Sequence, residues 1–227
     1  MKTIVIVGGS KGIGKEILNT LIEDNTIINL SRTTPERQHP NLTHIACDIL
    51  SDEIPDLEKV DGLVYCPGSI NLKPVSRLSL DEFRTDFEIN VLGAVKAIQK
   101  YLPQLKKGEN PAILLFSTVA SKLGMPFHAS IATAKSGVEG LVKSLGAELA
   151  PTVRVNAIAP TVTDTGLASK LLRNEKMIEN ITERHPLKKF LDPQEVASTA
   201  EFLLSDKAAS FSGQIFEMDC GIVSFKI

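Results

Sequence analysis

Two stretches of this chain gather residue types that can do chemistry. GGSKGIG, residues 8–14, follows the apolar run TIVIV (3–7) and precedes an amphipathic stretch with Ile17, Leu18, Leu21 and Ile22. Glycines at a strand-to-helix junction permit a tight turn and close approach of a pyrophosphate, and the next helix offers free N–H groups and the positive end of its dipole. The spacing Gly8, Gly12, Gly14 departs from GxGxxG, and the GK[ST] ending of a nucleoside-triphosphate loop is absent. The loop reads as a dinucleotide cradle, with a purely structural turn as the alternative. The second stretch, HASIATAKSGVEG (128–140), sets a single lysine, Lys135, among small and apolar neighbours. If it is helical, the residue one turn earlier on the same side is Ile131.

Which dinucleotide is a question for the second strand, whose end should lie beside the adenosine ribose. A carboxylate there binds a 2′-hydroxyl, and an arginine accommodates a 2′-phosphate. NLSRTT supplies Ser31 and Arg32 with no carboxylate before Glu36, and Lys11 adds a second cation from the glycine loop. Both pair well with a phosphate dianion, which favours NADP(H) over NAD(H). Solvated surface cations are the alternative.

The elements that must position these residues alternate in type. Short β-branched runs at 3–7, 26–30, 42–46, 62–66, 112–117, 153–159 and 214–218 are separated by helical patterns, which implies crossover connections and a mostly parallel sheet covered on both faces. Ser79 with Glu82 forms a capping box for a helix running toward Tyr101, and Asp192, Pro193 and Glu195 supply N-cap, N1 and N3 residues for another. A helix over about 128–149 carries Val138, Leu141, Val142, Leu145 and Leu149 at three- and four-residue spacing. SRTTPERQHPN (31–41) is a loop.

Length and composition bound the rest. The 227 residues, 43% of them hydrophobic, suit one globular domain. A net charge of −2 offers no general attraction to nucleic acid or anionic membrane. No apolar run approaches the roughly 18 residues of a membrane span or forms a signal peptide, so a cytoplasmic location is expected. Cys47, Cys66 and Cys220 are too widely spaced for a disulfide framework and read as small buried residues, and with no CxxC or HExxH no metal site is expected.

With these residues in place, the chain resembles the short-chain dehydrogenase/reductase family, in the pattern of its β-ketoacyl carrier-protein reductases, over essentially its whole length. GGSKGIG resembles the family's TGxxxGIG loop with Val7 in place of threonine; CDIL, YCPG, INVLG, VRVNAIAPTVTDT and SGQIFEMDCG follow in the family's order. The resemblance implies a single Rossmann-type domain over 1–227: a doubly wound α/β fold with about seven mostly parallel strands and helices on both faces. It implies cofactor contacts from Gly8, Ser10, Lys11, Gly12, Ile13 and Gly14 in the loop. Ser31, Arg32, Asp48 and Ile49 would serve the adenosine end, and Gly68, Asn90, Lys135, Pro160, Val162 and Thr165 the nicotinamide end. It also implies a homodimer or homotetramer built through helices at about 81–105 and 128–149.

The family's S…YxxxK pattern, assisted by an asparagine, maps to Thr118 for the serine, Lys135 for the lysine and Asn90 for the asparagine. Ile131 then stands at the tyrosine position and cannot donate a proton. Thr161 and Cys220 replace glycines of the pattern, and YCPG keeps only the last residue of NNAG. Three readings follow. One is an NADP(H)-dependent oxidoreductase of a small carbonyl or enoyl substrate with a relocated donor, for which His128, seven residues before Lys135, is the candidate. The second is a cofactor-binding sensor, regulator or partner subunit without turnover, and the third is a fold that has lost the cofactor. The segment from Gly166 to about Phe190, with Leu167, Leu171, Leu172, Met177, Ile178 and Leu187, would close over an apolar ligand or serve as a plain packing face.

Overall fold

The computed structural model describes residues 1–224. Seven strands form one sheet: β1 (Thr3–Val7), β2 (Thr26–Ser31), β3 (Leu42–Ala46), β4 (Gly62–Tyr65), β5 (Ala112–Phe116), β6 (Arg154–Pro160) and β7 (Ile215–Met218). Their order is β3-β2-β1-β4-β5-β6-β7 and every pairing is parallel. The strand runs expected from the sequence are therefore all present, with ends moved by at most one residue.

Side chains that alternate along a strand feed opposite faces. Val5 and Val7 join a core completed by Ala94, Ala97, Ile98, Tyr101 and Leu105 of α3 (Gly93–Leu105) and by Val138 and Val142 of α4 (Ala129–Glu148). Ile4 and Ile6 join a second core with Ile17, Leu18 and Leu21 of α1 (Gly12–Leu21) and Val196, Ala200 and Leu203 of α6 (Pro193–Leu204). Both faces of the sheet are thus covered, which is why its strands are almost continuously apolar.

Local signals set the helix ends. Both capping boxes form, Ser79–Glu82 at α2 (Leu80–Phe87) and Asp192–Glu195 at α6. β2 passes to β3 without a helix. One element differs from expectation: the helix from Ser79 toward Tyr101 is two helices joined by a π turn over Glu88–Leu92. Ile89 O is taken by Tyr65 Oη at 2.7 Å from the end of β4, so its carbonyl has a partner outside the helix. The chain reverses direction across the sheet between β1 and β4, and in such sheets ligands bind beyond the carboxyl ends of the strands at that point.

Candidate functional site

The loop after β1 leaves at Gly8 with φ +82°, a left-handed value that glycine adopts without steric cost. A side chain on Gly14 would begin 2.3 Å from Gly8 O, so the first turn of α1 lies directly against the loop. Lys11 is the N-cap; no side chain caps it and the first turn holds no acidic residue, which leaves the helix N-terminus open to an anion. From beneath, Gly9 N donates to Asn29 Oδ1 at 2.9 Å, and Asn29 Nδ2 lies 2.8 Å from Ser31 Oγ and 3.1 Å from His44 Nδ1. Asn29 is wholly buried in β2 and fixes the loop, yet it is not among the residues the motifs point to. Its only signal in the sequence is an amide inside an apolar strand.

Two cavities meet at Gly68. The first is lined by Gly8, Ser10, Lys11, Ser31, Arg32, Thr33, Asp48 and Ile49. Arg32 is largely exposed and its Nη1 is 3.8 Å from Asp48 Oδ2, while Ser10 Oγ and Thr33 Oγ1 are 2.8 Å apart. A glycine cradle that a Cβ would fill, an uncapped helix start and two cations among hydroxyls fit a dinucleotide.

The second cavity brings together Ile13, Thr118, His128, Ile131, Lys135, Pro160, Val162 and Thr165, as the sequence expects, and adds Cys66, Ser69, Met125 and Thr161. Leu167, Ala168 and Leu171 close it from the segment after β6. Gly12 and Gly14 line neither cavity and shape the loop instead, and Asn90, only 2% exposed, lies behind the wall. Cys66 corrects an expectation: unlike the buried Cys47 and Cys220, it is partly exposed and forms cavity wall.

Lys135 is buried, and Nζ donates to Phe116 O at 2.8 Å. Burial pulls its pKa down to about 8, opposed by Cys66 and Asp86. Burial likewise pushes the Cys66 thiol up to about 12, opposed by Lys135. Thr118 Oγ1 accepts from Ala120 N at 3.3 Å at the head of a short 3-10 turn, whereas Ser117 turns its hydroxyl toward Glu139 Oε1 at 2.7 Å. Ile131 sits on α4 one turn before Lys135, 4% exposed. His128 is the N-cap of α4 rather than part of its helical face, and its Nδ1 is 2.8 Å from Pro126 O. The chain has two tyrosines and neither lines the cavity: Tyr65 Oη donates to Ile89 O and Tyr101 Oη to Pro55 O.

The closing segment includes α5 (Glu175–Arg184) and is tied to the floor of this cavity. His185 is buried, with Nδ1 2.6 Å from Ile181 O and Nε2 2.7 Å from Thr161 Oγ1. A carbonyl only accepts, so Nδ1 carries a proton, and in the neutral ring Nε2 accepts from the Thr161 hydroxyl. Thr161, placed where the pattern has glycine, therefore anchors the segment beyond α5.

Comparison with known proteins matches residues 45–223 to the family model described as enoyl-(acyl carrier protein) reductase. The chain is 27% identical to the 3-oxoacyl-[acyl-carrier-protein] reductase FabG of Thermotoga maritima, over 98% of each chain. Among solved structures, the ligand-free aldohexose dehydrogenase of Thermoplasma acidophilum superposes with a TM-score of 0.91 at 27% identity, covering 99% of this chain and 95% of that one. A 4-hydroxyisoleucine dehydrogenase complexed with NADH superposes with a TM-score of 0.90 at 25% identity, covering 100% of both.

Proposed function

Since the chain belongs to the short-chain dehydrogenase/reductase family of oxidoreductases, we propose that it is an NADP(H)-dependent oxidoreductase acting on a small carbonyl or enoyl compound, with an atypical proton donor. The observation that carries this reading is Lys135: a buried cation at the base of an apolar cavity that adjoins, through Gly68, the cavity of the glycine loop. When bound, the nicotinamide supplies or accepts the hydride. Lys11 and Arg32 would hold the 2′-phosphate, and the open N-terminus of α1 would receive the pyrophosphate. Thr118 offers a hydroxyl to the substrate oxygen. Lys135, whose pKa burial lowers to about 8, holds a proton at Nζ at neutral pH. His128, on the wall, is the second candidate donor. The lid residues Leu167, Ala168 and Leu171 exclude water.

One observation favours a second reading, an NADP(H)-binding sensor, regulator or partner subunit without turnover: no tyrosine hydroxyl reaches the cavity, and Ile131 stands one turn before Lys135. Calorimetric titration of nucleotide-free protein with NADPH and with NADH comes first. Binding is expected with clear preference for NADPH, and absence of binding to both would sink either reading. Ile131→Tyr then separates them, because losing a positioned general acid costs about 10²–10⁴ in rate. In an enzyme lacking only its donor the substitution raises NADPH-dependent ketone reduction at least tenfold. No gain, with NADPH bound and the fold intact, favours the sensor.

A further inference from the structure

Behind the wall of the Lys135 cavity lies a polar cluster that joins Asn90 to Asp86, Ser69 and Asn71, three residues the family pattern does not name. Asp86 of α2 is completely buried. Its Oδ1 accepts from Ser69 Oγ at 2.5 Å and from Asn71 Nδ2 at 3.0 Å. Asn90 Nδ2 donates to Ser69 Oγ at 3.1 Å and to Asp86 O at 2.7 Å. Two oxygens of this cluster, Asp86 Oδ2 and Asn90 Oδ1, are buried with no hydrogen-bond partner among the described residues. Of the cluster, Ser69 is the member that lines the cavity. Lys135 is adjacent: Asn90 Oδ1 and Lys135 Nζ lie 3.3 and 3.7 Å from the point where a side chain on Gly68 would begin.

The valence of Ser69 Oγ decides what can meet it. A hydroxyl has one hydrogen and two acceptor positions. The hydrogen goes to Asp86, and one acceptor position is filled by Asn90. What remains is a single acceptor position, so whatever binds there must bring a hydrogen. Lys135, whose Nζ lies near the adjoining Gly68, offers N–H donors beyond the one given to Phe116 O, so a ligand group that reaches both must also accept. A carbonyl or a carboxylate brings no hydrogen, and an ammonium brings no acceptor and is repelled by Lys135. A hydroxyl group satisfies both neighbours at once.

We infer that Ser69 Oγ, oriented by Asp86 and Asn90, is an acceptor site for a ligand hydroxyl beside Lys135. The hydroxyl has two sources, the nicotinamide ribose of the cofactor or an alcohol form of the substrate. The inference rests on the cofactor reading above and extends it to residues outside the S…YxxxK pattern. Asp86 and Asn90 are positioning residues here, and Ser69 is the group that touches ligand.

The test is calorimetry on the parent, Ser69→Ala and Ser69→Thr, each shown by its thermal midpoint to be folded. The probes are NADPH, an NADPH analogue lacking both hydroxyls of the nicotinamide ribose, and cyclohexanol added to protein saturated with NADP⁺. If the ribose is the source, Ser69→Ala weakens NADPH at least tenfold, leaves the analogue unchanged, and Ser69→Thr restores NADPH binding. If the alcohol is the source, NADPH is unchanged while cyclohexanol weakens at least tenfold in Ser69→Ala and recovers in Ser69→Thr. Parent-like binding of all three probes by Ser69→Ala overturns the inference while leaving the cofactor reading standing. A parent that binds no NADPH overturns the cofactor reading, and the hydroxyl site with it.

Discussion

At the scale of single residues, Lys135 carries a cost that its site explains. A cation placed in a cavity walled by Ile131, Phe116 and Val162 loses hydration, and the carbonyl of Phe116 returns one hydrogen bond. Its folded pKa of about 8 lies below the ordinary value of 10.5. Below pH 8 both folded and unfolded chains hold this proton, and the folded one bears the full burial penalty. Between about 8 and 10.5 the unfolded chain binds more proton than the folded one, so this lysine makes stability rise with pH across that window. The gap corresponds to about 3 kcal/mol as an upper bound. Lys135→Met is therefore expected to stabilise the protein at pH 7 by 1 to about 3 kcal/mol and to remove the rise. Urea midpoints for parent and variant from pH 6 to 10.5 check both parts. A variant less stable at pH 7, with the rise retained, would show that burial of the cation is not what sets its pKa. A fold that retains such a penalty at the junction of two cavities is consistent with use of that charge.

At the scale of elements, α2 and the π turn place Asp86 and Asn90 behind Ser69. The capping box at Ser79 was legible because it depends on two side chains three residues apart. The π turn was not, because one wider turn leaves the apolar spacing on either side intact. Its supports come from a distant strand: Tyr65 Oη donates to Ile89 O, and a side chain on Gly93 would begin 2.1 Å from Tyr65 Oη. Only glycine lets the phenol reach the carbonyl. Tyr65→Phe keeps the ring and removes the donor, leaving a partly buried carbonyl unmet at a cost of about 1 kcal/mol. A thermal midpoint lowered by a few degrees is expected, with NADPH binding weakened less than tenfold. An unchanged midpoint would mean that the π turn is held by its own helix. Asn29 escaped the motifs, and Thr161 showed only as a departure from one, for a related reason. The contact that gives each its role reaches a residue 20 or 24 positions away, Gly9 and His185 respectively, and sequence order does not reveal that pairing.

At the scale of the whole molecule, the architecture was legible because strand and helix periods alternate cleanly, and both cavities fall where a parallel sheet reverses its winding. What covers the outer face of the helices is a separate question, and the same periodicity bears on it. A helix that packed only on the sheet would be polar outside. Yet Leu80, Phe87 and Leu92 are 71%, 40% and 50% exposed along α2 and the π turn, α2 packs on α4, and Gly140 of α4 has open space above it. Exposed apolar side chains beside a small-residue helix face suit close approach of a second copy about a two-fold axis, in which the same patch meets itself. A homodimer or homotetramer through this face is therefore expected at micromolar concentration. Leu92→Glu places two like charges near that axis and should shift sedimentation toward the monomer, while NADPH binding stays within about threefold of the parent because Leu92 lines neither cavity. A parent that sediments as a monomer at that concentration would leave these side chains without a partner copy. An unaltered oligomer in Leu92→Glu would move the interface elsewhere on the surface.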